Sequence, residues 1–417
     1  MLRTNRNFRR SLLADLTSNV GSAVSIIAFP LLVLSLGGNA VQAGAVATVS
    51  LVTRLAFRLP AGSLVDRWDR RKVMLTADLV RFLAVSTIPL VALWGSPHYV
   101  HLLAVAMVEG LATALFGPAN TVLVRDIVVE RDLAQALGVG QAVQAAVNLA
   151  GPALGGALYA VDRMLPFVVD ALSYAVSAVL LWRITVRPAA TAARTGDRGL
   201  MAGIRWLVRQ RELFVIMLYA AVINLVSAAI DVTVILELRD NGSSSSVIGP
   251  ILSCAGVGAI IGSLLAPWLV KRLSVPAILL GIGAGWTTIL AVFAVAFQPW
   301  LVALLLTVLM MLSPSAGVIV GHALLARAPR HLLGRVSAAT GLLLSGLAAL
   351  GPIAAGLLFQ GLGGARSWVM LAVLTGAVTA VGWIPLQATR RLNATAAPDP
   401  EPAVVAHSTD LGASPDD

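Results

Sequence analysis

Apolar runs of about 20 residues recur along almost the whole chain, and short polar connections separate them. A run of that length forms a helix that can cross the roughly 30 Å hydrocarbon core of a bilayer. Charged residues make up only 12% of the sequence, against about 25% in soluble domains. The apolar–polar alternation of an outer-membrane β-barrel does not occur. The sequence therefore predicts an all-α polytopic membrane protein with about twelve transmembrane helices.

The predicted spans form two sets of six. The expected divisions are an N-terminal segment (1–11), a first six-helix bundle (12–186), a linker (187–211), a second six-helix bundle (212–389) and a tail (390–417). The tail is rich in Ala, Pro and Asp without periodicity, which is typical of disordered segments. The linker carries an amphipathic stripe at Leu200, Ile204 and Leu207. Such a helix lies on an anionic membrane surface or packs on the bundles, and the pattern fits both.

Basic residues gather in alternate connections between the spans. One side receives Arg or Lys near 3–10, 67–72, 125–131, 183–211, 271–272, 327–335 and 390–391. The other side receives only Arg163, Arg239 and Arg366. By the positive-inside rule, this asymmetry places both termini in the cytoplasm, in a bacterial inner membrane. The net charge of +10 thus reflects topology rather than a nucleic-acid partner.

Two short motifs return 200 residues later in the chain. "GSL" at Gly62 recurs at Gly262, and "GP" at Gly151 recurs at Gly351. Repeated halves are common in secondary transporters, which bind their substrate between the halves near the bilayer midplane. The repeat therefore predicts two pseudo-symmetric bundles.

The connection between the second and third spans concentrates charge. Its sequence, "GSLVDRWDRRK" over residues 62–72, resembles the signature loop of the major facilitator superfamily, G-x-L-x-D-R-x-x-R-R-K. We call this stretch the gate loop. The resemblance implies that Asp66 accepts hydrogen bonds from Arg70 and from the N-terminus of the eleventh span, which would hold the cytoplasmic side shut. The family usually has Gly where Asp69 stands. The other predicted gate residues are Gly62, Arg67, Arg71 and Lys72.

The fifth span contains a second motif. Gly151, Pro152, Gly155 and Gly156 resemble the G-P-x-x-G-G element of exporters in the same superfamily. Proline bends a helix and glycine permits close helix approach, so an ordinary kink is the alternative explanation. Further segments, such as "ADLVR" at 77–81, resemble the branch with macrolide-efflux and enterobactin-export proteins. The resemblance implies a major facilitator fold and an export function.

Several ionisable or amide side chains fall inside predicted spans, where they are costly and become functional candidates. They are Asp15, Asn19, Arg54, Arg58, Asp78, Arg81, Glu109 and Asp231. The expected pairs join Arg58 to Asp15 or Asp78, and Arg54 to Glu109 or Asn19. Buried pairs of this kind are structural at least as often as functional.

Glu109 is the sharpest of these candidates, because it falls near the middle of the fourth span. Burial disfavours the charged form of a carboxyl group, so such a residue can take up and release a proton during transport. The alternative is a permanent structural pair with an arginine.

The function expected from these features is secondary active transport, with proton-coupled export of a hydrophobic or amphipathic small molecule. The alternatives are proton-coupled uptake, lipid-metabolite translocation, or a membrane receptor or scaffold. The sequence has no P-loop, and its single Cys254 offers no Cys-based metal site. We therefore expect no enzyme activity, no metal and no cofactor besides the proton gradient. The expected partners are substrate, protons and membrane lipids, and the protein is expected to be a monomer.

Overall fold

The computed structural model describes residues 5–185, 200–328 and 332–395, and these ranges are helical without any strand. The first half contains six helices: α1 (Arg6–Ser35), α2 (Ala40–Arg67), α3 (Arg70–Ala92), α4 (Tyr99–Ile127), α5 (Glu130–Val161) and α6 (Leu165–Trp182). A short helix follows, α7 (Leu200–Arg209). The second half contains α8 (Arg211–Asp240), α9 (Ser245–Arg272), α10 (Val275–Val295), α11 (Pro299–Arg327), α12 (Leu333–Ala349), α13 (Gly351–Leu362) and α14 (Gly364–Thr395).

Eleven segments of the described chain are long and apolar enough to cross a membrane. One of them, Arg335–Leu362, joins α12 and α13, which meet at a kink before Pro352. The remaining predicted span is α5, whose 32 residues are long enough but include Gln141, Gln144 and Asn148. It packs between α1 and α9, and its Gln144 side chain donates to Asn148 on the same helix at 3.0 Å. The all-α, two-bundle fold that the sequence predicts is present.

Short connections make successive helices antiparallel. We call the end where α1, α3 and α5 begin the basic end, because most Arg and Lys residues lie there. The other end is the opposite end. Asn39 begins α2 with a capping box that pairs its side chain and backbone with Gln42. Gly37 follows α1 with φ at 83°, a backbone conformation that favours glycine.

The two halves repeat the same helix order, but one of the two motif matches predicted from the sequence is wrong. α2 begins at Ala40 and α9 at Ser245, 205 residues later, whereas α6 begins at Leu165 and α14 at Gly364, 199 residues later. The α3–α4 connection has six residues (93–98) and the α10–α11 connection only three (296–298), which accounts for part of the change. The "GP" match falls in equivalent positions, but "GSL" at Gly262 does not correspond to Gly62.

The correct register aligns "LVDR" at 64–67 with "LVKR" at 269–272, so Lys271 stands where the first half has Asp66. The longer α3–α4 connection also lines a crevice of about 880 Å³ at the opposite end, with Trp94 and Arg163 on its walls. The two halves therefore differ at both ends, although their helices are arranged alike.

The amphipathic linker helix packs on the second bundle. Leu207 in α7 is buried, and Gly203 lies so close to the backbone of Arg335 that a Cβ there would be 2.6 Å from its carbonyl carbon. Of the two alternatives for this helix, the structure shows packing against α12 and α8. α14 continues to Thr395, past the predicted start of the tail. Residues 396–417 and the first part of the linker lie outside the described residues.

Candidate functional site

The two halves meet through glycine-mediated helix contacts near the opposite end. On one side, α5 packs against α9. A Cβ added to Gly156 would lie 2.8 Å from the Cα of Gly249, which is closer than real Cβ contacts allow. Gly155 and Gly151 face α1 instead: a Cβ on Gly155 would lie 3.2 Å from the Cα of Val24. The predicted motif thus joins α5 both to its own bundle and to the other one.

The second contact between the halves mirrors the first. α2 packs against α13, and a Cβ on Gly356 would lie 2.9 Å from the Cα of Val41. A Cβ on Gly44 would lie 2.9 Å from the carbonyl carbon of Pro352. Small residues allow membrane helices to approach this closely, which strengthens their van der Waals packing.

At each of these contacts, a backbone N–H of one half donates to a hydroxyl of the other half, and α2 and α13 share a further bond from the Val41 N–H to Gln360 Oε1 at 3.4 Å. The Ala153 N–H donates to the Ser253 hydroxyl at 2.9 Å, and the Ile353 N–H donates to the Thr48 hydroxyl at 3.0 Å. Each donor follows the proline of a "GP" pair, and the two donors are equivalent in the repeat. The acceptors are equivalent too, at matching positions of α2 and α9. These two bonds are therefore related by the repeat, as the packing is, whereas the Val41–Gln360 bond has no counterpart between α5 and α9 among the described residues.

In the gate loop, Asp69 caps the start of α3. Its carboxylate accepts hydrogen bonds from the backbone N–H groups of Arg71 and Lys72, at 3.0 and 3.3 Å. Its φ of −62° needs no glycine, so the departure from the family pattern gives an ordinary N-cap.

Arg71 fastens the gate loop to the first bundle, because its guanidinium donates to the carbonyl oxygens of Leu181 and Trp182 at the end of α6. Arg70 is half-buried and Lys72 is exposed. The side chains of Asp66 and Arg67, and the surroundings of Gly62, lie outside the described residues. The expected contact between Asp66 and Arg70 therefore stays a prediction.

A chain of polar side chains runs through the interior of the first half, and we call it the buried polar chain. Hydrogen bonds join its members in four successive groups: Ser11, Asn120 and Asp15; Ser18, Asp78, Arg81 and Ser177; Ser22, Tyr174 and Glu109; and Ser25 and Asp170. These residues come from α1, α3, α4 and α6. Positions along the four helices order them from the basic end toward the opposite end.

The middle of the buried polar chain contains Glu109, which is half-buried. The Tyr174 hydroxyl donates to Glu109 Oε1 at 3.1 Å and lies 2.8 Å from the hydroxyl of Ser22. One tyrosine thus connects α6 with both α4 and α1. Glu109 makes no ion pair with any residue that the structure describes.

Arg81 is the cation of the chain, and it is almost fully buried with 3% of its surface exposed. It pairs with Asp78 at 3.4 Å, and its guanidinium lies 5.1 and 5.3 Å from the ring centres of Phe116 and Tyr174. Asp78 also accepts a hydrogen bond from Ser18 at 3.3 Å. These partners hold the Arg81 charge on the basic-end side of the Glu109–Tyr174 pair.

At the basic end of the chain, Asn120 donates to the Asp15 carboxylate at 2.9 Å. The Asn19 side chain donates to the Asp15 backbone carbonyl at 2.8 Å. At the other end, Asp170 is fully buried and accepts a hydrogen bond from Ser25 at 2.5 Å. A carboxyl group therefore lies near each end of the chain.

The ion pairs expected for Arg54 and Arg58 do not form among the described residues, because Asp78 pairs with Arg81 and Asp15 with Asn120. Both arginine side chains are exposed. Protein surrounds Arg54 on most sides, and the Arg58 guanidinium lies 3.7 Å from the place of a Cβ on Gly341 of α12. Both arginines thus face the space between the halves, which we call the central cleft.

Asp231 opens on the same cleft from the second half. Its side chain is accessible although protein encloses the position, and no hydrogen bond or ion pair reaches it from the described residues. Its counterpart in α1, 205 residues earlier, is Ile26, which is 68% exposed. Ile26 is one of the few exposed side chains of α1, whereas most of that helix is buried or half-buried. Asp231 therefore lies apart from the buried polar chain.

The sequence analysis did not include Tyr174, Asn120 or the serines among the site residues. A signal was present in α6, where Asp170, Ser173, Tyr174 and Ser177 repeat at helical spacing in an otherwise apolar helix. Such a polar stripe inside a span predicts partners on the facing helices. Among the described residues, no group of three His, Cys, Asp or Glu side chains could hold a metal ion.

Two helix bundles that meet at one end, with a cleft between them and ionisable groups inside one bundle, define a secondary transporter of the two-repeat type. The comparisons agree. The chain matches the family described as "Transmembrane secretion effector" (MFS_3) over residues 2–411, and so it belongs to this family of the major facilitator superfamily. It is therefore a multi-pass efflux transporter of the bacterial inner membrane and not an enzyme.

Similar proteins are efflux pumps by name. The multidrug efflux pump Tap of Mycobacterium tuberculosis is 30% identical over 375 residues, covering 84% of this chain and 85% of Tap. Macrolide efflux protein A of Streptococcus pyogenes is 24% identical over 259 residues, covering 59% and 64%. Among solved structures, a bacterial homologue of the lysosomal transporter Spinster in an inward-facing conformation has a TM-score of 0.76 at 15% identity, covering 93% and 98%.

Proposed function

We propose that this transporter exports a hydrophobic or amphipathic small molecule in exchange for protons, with its basic end in the cytoplasm. The observation that carries this proposal is the buried polar chain, in which Glu109 is a half-buried carboxyl group with a neutral hydrogen-bond donor. Substrate binds in the cleft, and the proton binds in the first half. No cofactor is needed besides the proton gradient.

Glu109 is suited to couple the two events because of its partners. Its hydrogen bond comes from Tyr174, a neutral group that can accommodate either form of the carboxyl. Arg81, the nearest cation of the chain, is already paired with Asp78. Glu109 can therefore gain or lose a proton without breaking an ion pair, which would be costly in a buried site. A permanently paired glutamate would lack this freedom.

The interface at the opposite end supplies the gate for alternating access. In the conformation described, the glycine contacts hold the halves together at that end, and Arg54 and Arg58 are accessible in the cleft. Export then requires these contacts to open while the gate loop closes the basic end. We assign Asp66 of the gate loop to that closure, in keeping with the family pattern.

The substrate class follows from the cleft and from the relatives. We assign the exposed Ile26 to an apolar wall of the cleft opposite the isolated carboxylate of Asp231, so few hydrogen-bonding groups are available for a sugar-like molecule. The relatives named above are a multidrug pump and a macrolide efflux protein. We infer that a lipophilic molecule is the exported substrate and that the transporter works as a monomer.

The test is proton release in everted membrane vesicles that hold an acid interior, with macrolides, phenicols, cationic dyes, siderophores and sugars added in turn. We expect one lipophilic class to discharge the gradient through the wild-type protein. Glu109→Gln should remove this response, with a loss of at least about 100-fold in coupled rate. Asp126→Asn, which changes an exposed carboxylate at the end of the same helix, is the matched control. Normal proton-driven efflux by Glu109→Gln would contradict the role given to Glu109.

A further inference from the structure

We propose that Asp170 is a second proton-binding site, which exchanges its proton with Glu109 through the hydroxyl of Tyr174. This inference rests on the proton coupling proposed above and extends it from one carboxyl group to two. Asp170 lies nearer the opposite end than Glu109, so the pair would give the proton a route from that end to the middle of the first half.

The surroundings of Asp170 support a proton-binding role rather than an ion pair. The residue is fully buried, and none of the described Arg, Lys or His side chains lies within 4 Å of its carboxylate. Ser25 donates to Oδ2 at 2.5 Å, whereas Oδ1 has no hydrogen-bond partner among the described residues. A charged carboxylate in such a place would be very costly, and a bound proton removes that cost.

The packing around Asp170 is specific. Gly21 of α1 lies directly against it, and a Cβ on Gly21 would be 2.8 Å from the Ser173 Cβ and would also clash with Asp170 Oδ1. A side chain at position 21 would therefore push Asp170 away from Ser25. Glycine at this place keeps the carboxyl group inside the bundle and next to Tyr174.

The groups that face Asp170 come from every helix packed against α6. They are Ser25 from α1, Arg81 from α3 and Glu109 from α4, while Asp78 from α3 is bonded to Ser177 two turns away on α6. From α5, Tyr159 is the titratable side chain of the nearest turns, and it is bound to Ser35. Tyr174 thus donates to one carboxyl group, Glu109, and follows the other, Asp170, by one turn of α6, while the arginine of the buried polar chain is paired elsewhere.

The proposed transfer balances without any further reactant. A side-chain rotation first brings Oδ1 of Asp170, which has no partner among the described residues, to the hydroxyl of Tyr174, one turn along α6. The Tyr174 hydroxyl then gives its hydrogen to the Glu109 carboxylate, to which it already donates at 3.1 Å, and takes the proton of the Asp170 carboxyl group. Tyr174 is unchanged at the end, and one proton has moved from Asp170 to Glu109. Replacing its hydroxyl with hydrogen should interrupt this step while leaving the aromatic packing on Arg81 in place.

The experiment compares two assays in proteoliposomes, with erythromycin and ethidium as probes. One assay follows accumulation driven by a pH gradient, and the other follows substrate counterflow without a gradient. For Asp170→Asn we expect gradient-driven accumulation to be lost and counterflow to stay within about twofold of wild type. Tyr174→Phe should slow gradient-driven accumulation at least about tenfold with counterflow retained. Asp126→Asn is the control for both assays.

Each outcome decides between the proposals. If Asp170→Asn accumulates substrate like wild type, or if a folded Asp170→Asn protein loses counterflow as well, the second site is wrong and the role of Glu109 stands. If the wild type itself shows no gradient-driven accumulation of any transported probe, the proposed proton coupling fails. If Asp170→Asn does not fold, Ser25→Ala replaces it. That variant should shift the pH profile of accumulation by about half a unit, whereas Ser35→Ala should not; an unshifted profile would overturn the proposal.

Discussion

The two halves of this transporter are alike where they touch and different inside. At the interface, each half donates one backbone N–H to a hydroxyl of the other, from Ala153 to Ser253 and from Ile353 to Thr48. Inside, the first half contains Asp15, Asp78, Arg81, Glu109 and Asp170, each hydrogen-bonded to a polar side chain of a neighbouring helix. In the membrane interior of the second half, as far as the structure describes it, Asp231 is the comparable acidic residue, and it stands alone.

This difference separates two tasks. Rocking of one bundle against the other moves both contacts of the gate together, so equivalent residues serve both sides equally well. Proton binding needs only one route, and a second set of buried charges would add desolvation cost without adding a function. We infer that the symmetric residues operate the gate and that the asymmetric ones supply the chemistry.

The largest expected effect tests the symmetric part. Gly156→Val in α5 and its counterpart Gly356→Val in α13 should each abolish transport, because either side chain would collide with the backbone of the other half. Gly138→Val, also in α5 but with open space around it, should retain transport. The measurement is vesicle efflux normalised to the amount of folded protein. Normal transport by only one of the two interface variants would break the symmetry of the comparison.

A smaller effect is expected at the isolated carboxylate of the second half. Asp231→Asn should raise the KM for a cationic dye about tenfold, which corresponds to about 1.4 kcal/mol of lost attraction. The number of protons exchanged per substrate should stay the same, because Asp231 is not part of the buried polar chain. Measuring both quantities in proteoliposomes checks the division between the halves. Loss of proton exchange in this variant would show that the second half shares the coupling chemistry.

The smallest effects are expected at the two interface hydroxyls. Ser253→Ala and Thr48→Val should each weaken the closed contact by about 0.5–1.5 kcal/mol, the usual net value of one hydrogen bond. The native Cys254 lies beside Ser253 and is partly buried, so its labelling by a maleimide reports the opening. We expect labelling to rise about two- to tenfold in each variant. Ser263→Ala, which removes a hydroxyl bonded within α9, is the control; an equal rise there would refute the assignment.

The sequence was sufficient for features that depend on position along one helix. Apolar runs predicted the spans, and the Gly–Pro pairs at Gly151 and Gly351 predicted the repeat. Contacts that depend on the rotation of one helix against another were not predictable. Arg54 and Arg58 were expected to pair with Asp15, Asp78 or Glu109, but α2 turns them to the cleft. Asp78 is instead satisfied by Arg81 on its own helix, at a spacing of three residues.

The register of the repeat shows a second limit. Gly62 and Gly262 share three letters at the same offset as the genuine match, but the connections differ in length and shift the true equivalence to 205 residues. In a chain with 37 glycines, a three-letter coincidence is easily found. Only the helix ends reveal which match is meaningful. The buried polar chain was not predictable for a similar reason, since its members come from four helices and meet only in three dimensions.

The two repeat-related hydrogen bonds of the interface also determine which mutations can alter the gate. At each of them the donor is a backbone amide, which every residue except proline possesses, and the acceptor is a side-chain hydroxyl. Mutations can therefore change these two bonds mainly by replacing the residue at position 48 or 253. Exchanges among serine, threonine, alanine and valine there would let natural selection adjust the speed of the transport cycle in small steps, without touching the residues that recognise the cargo.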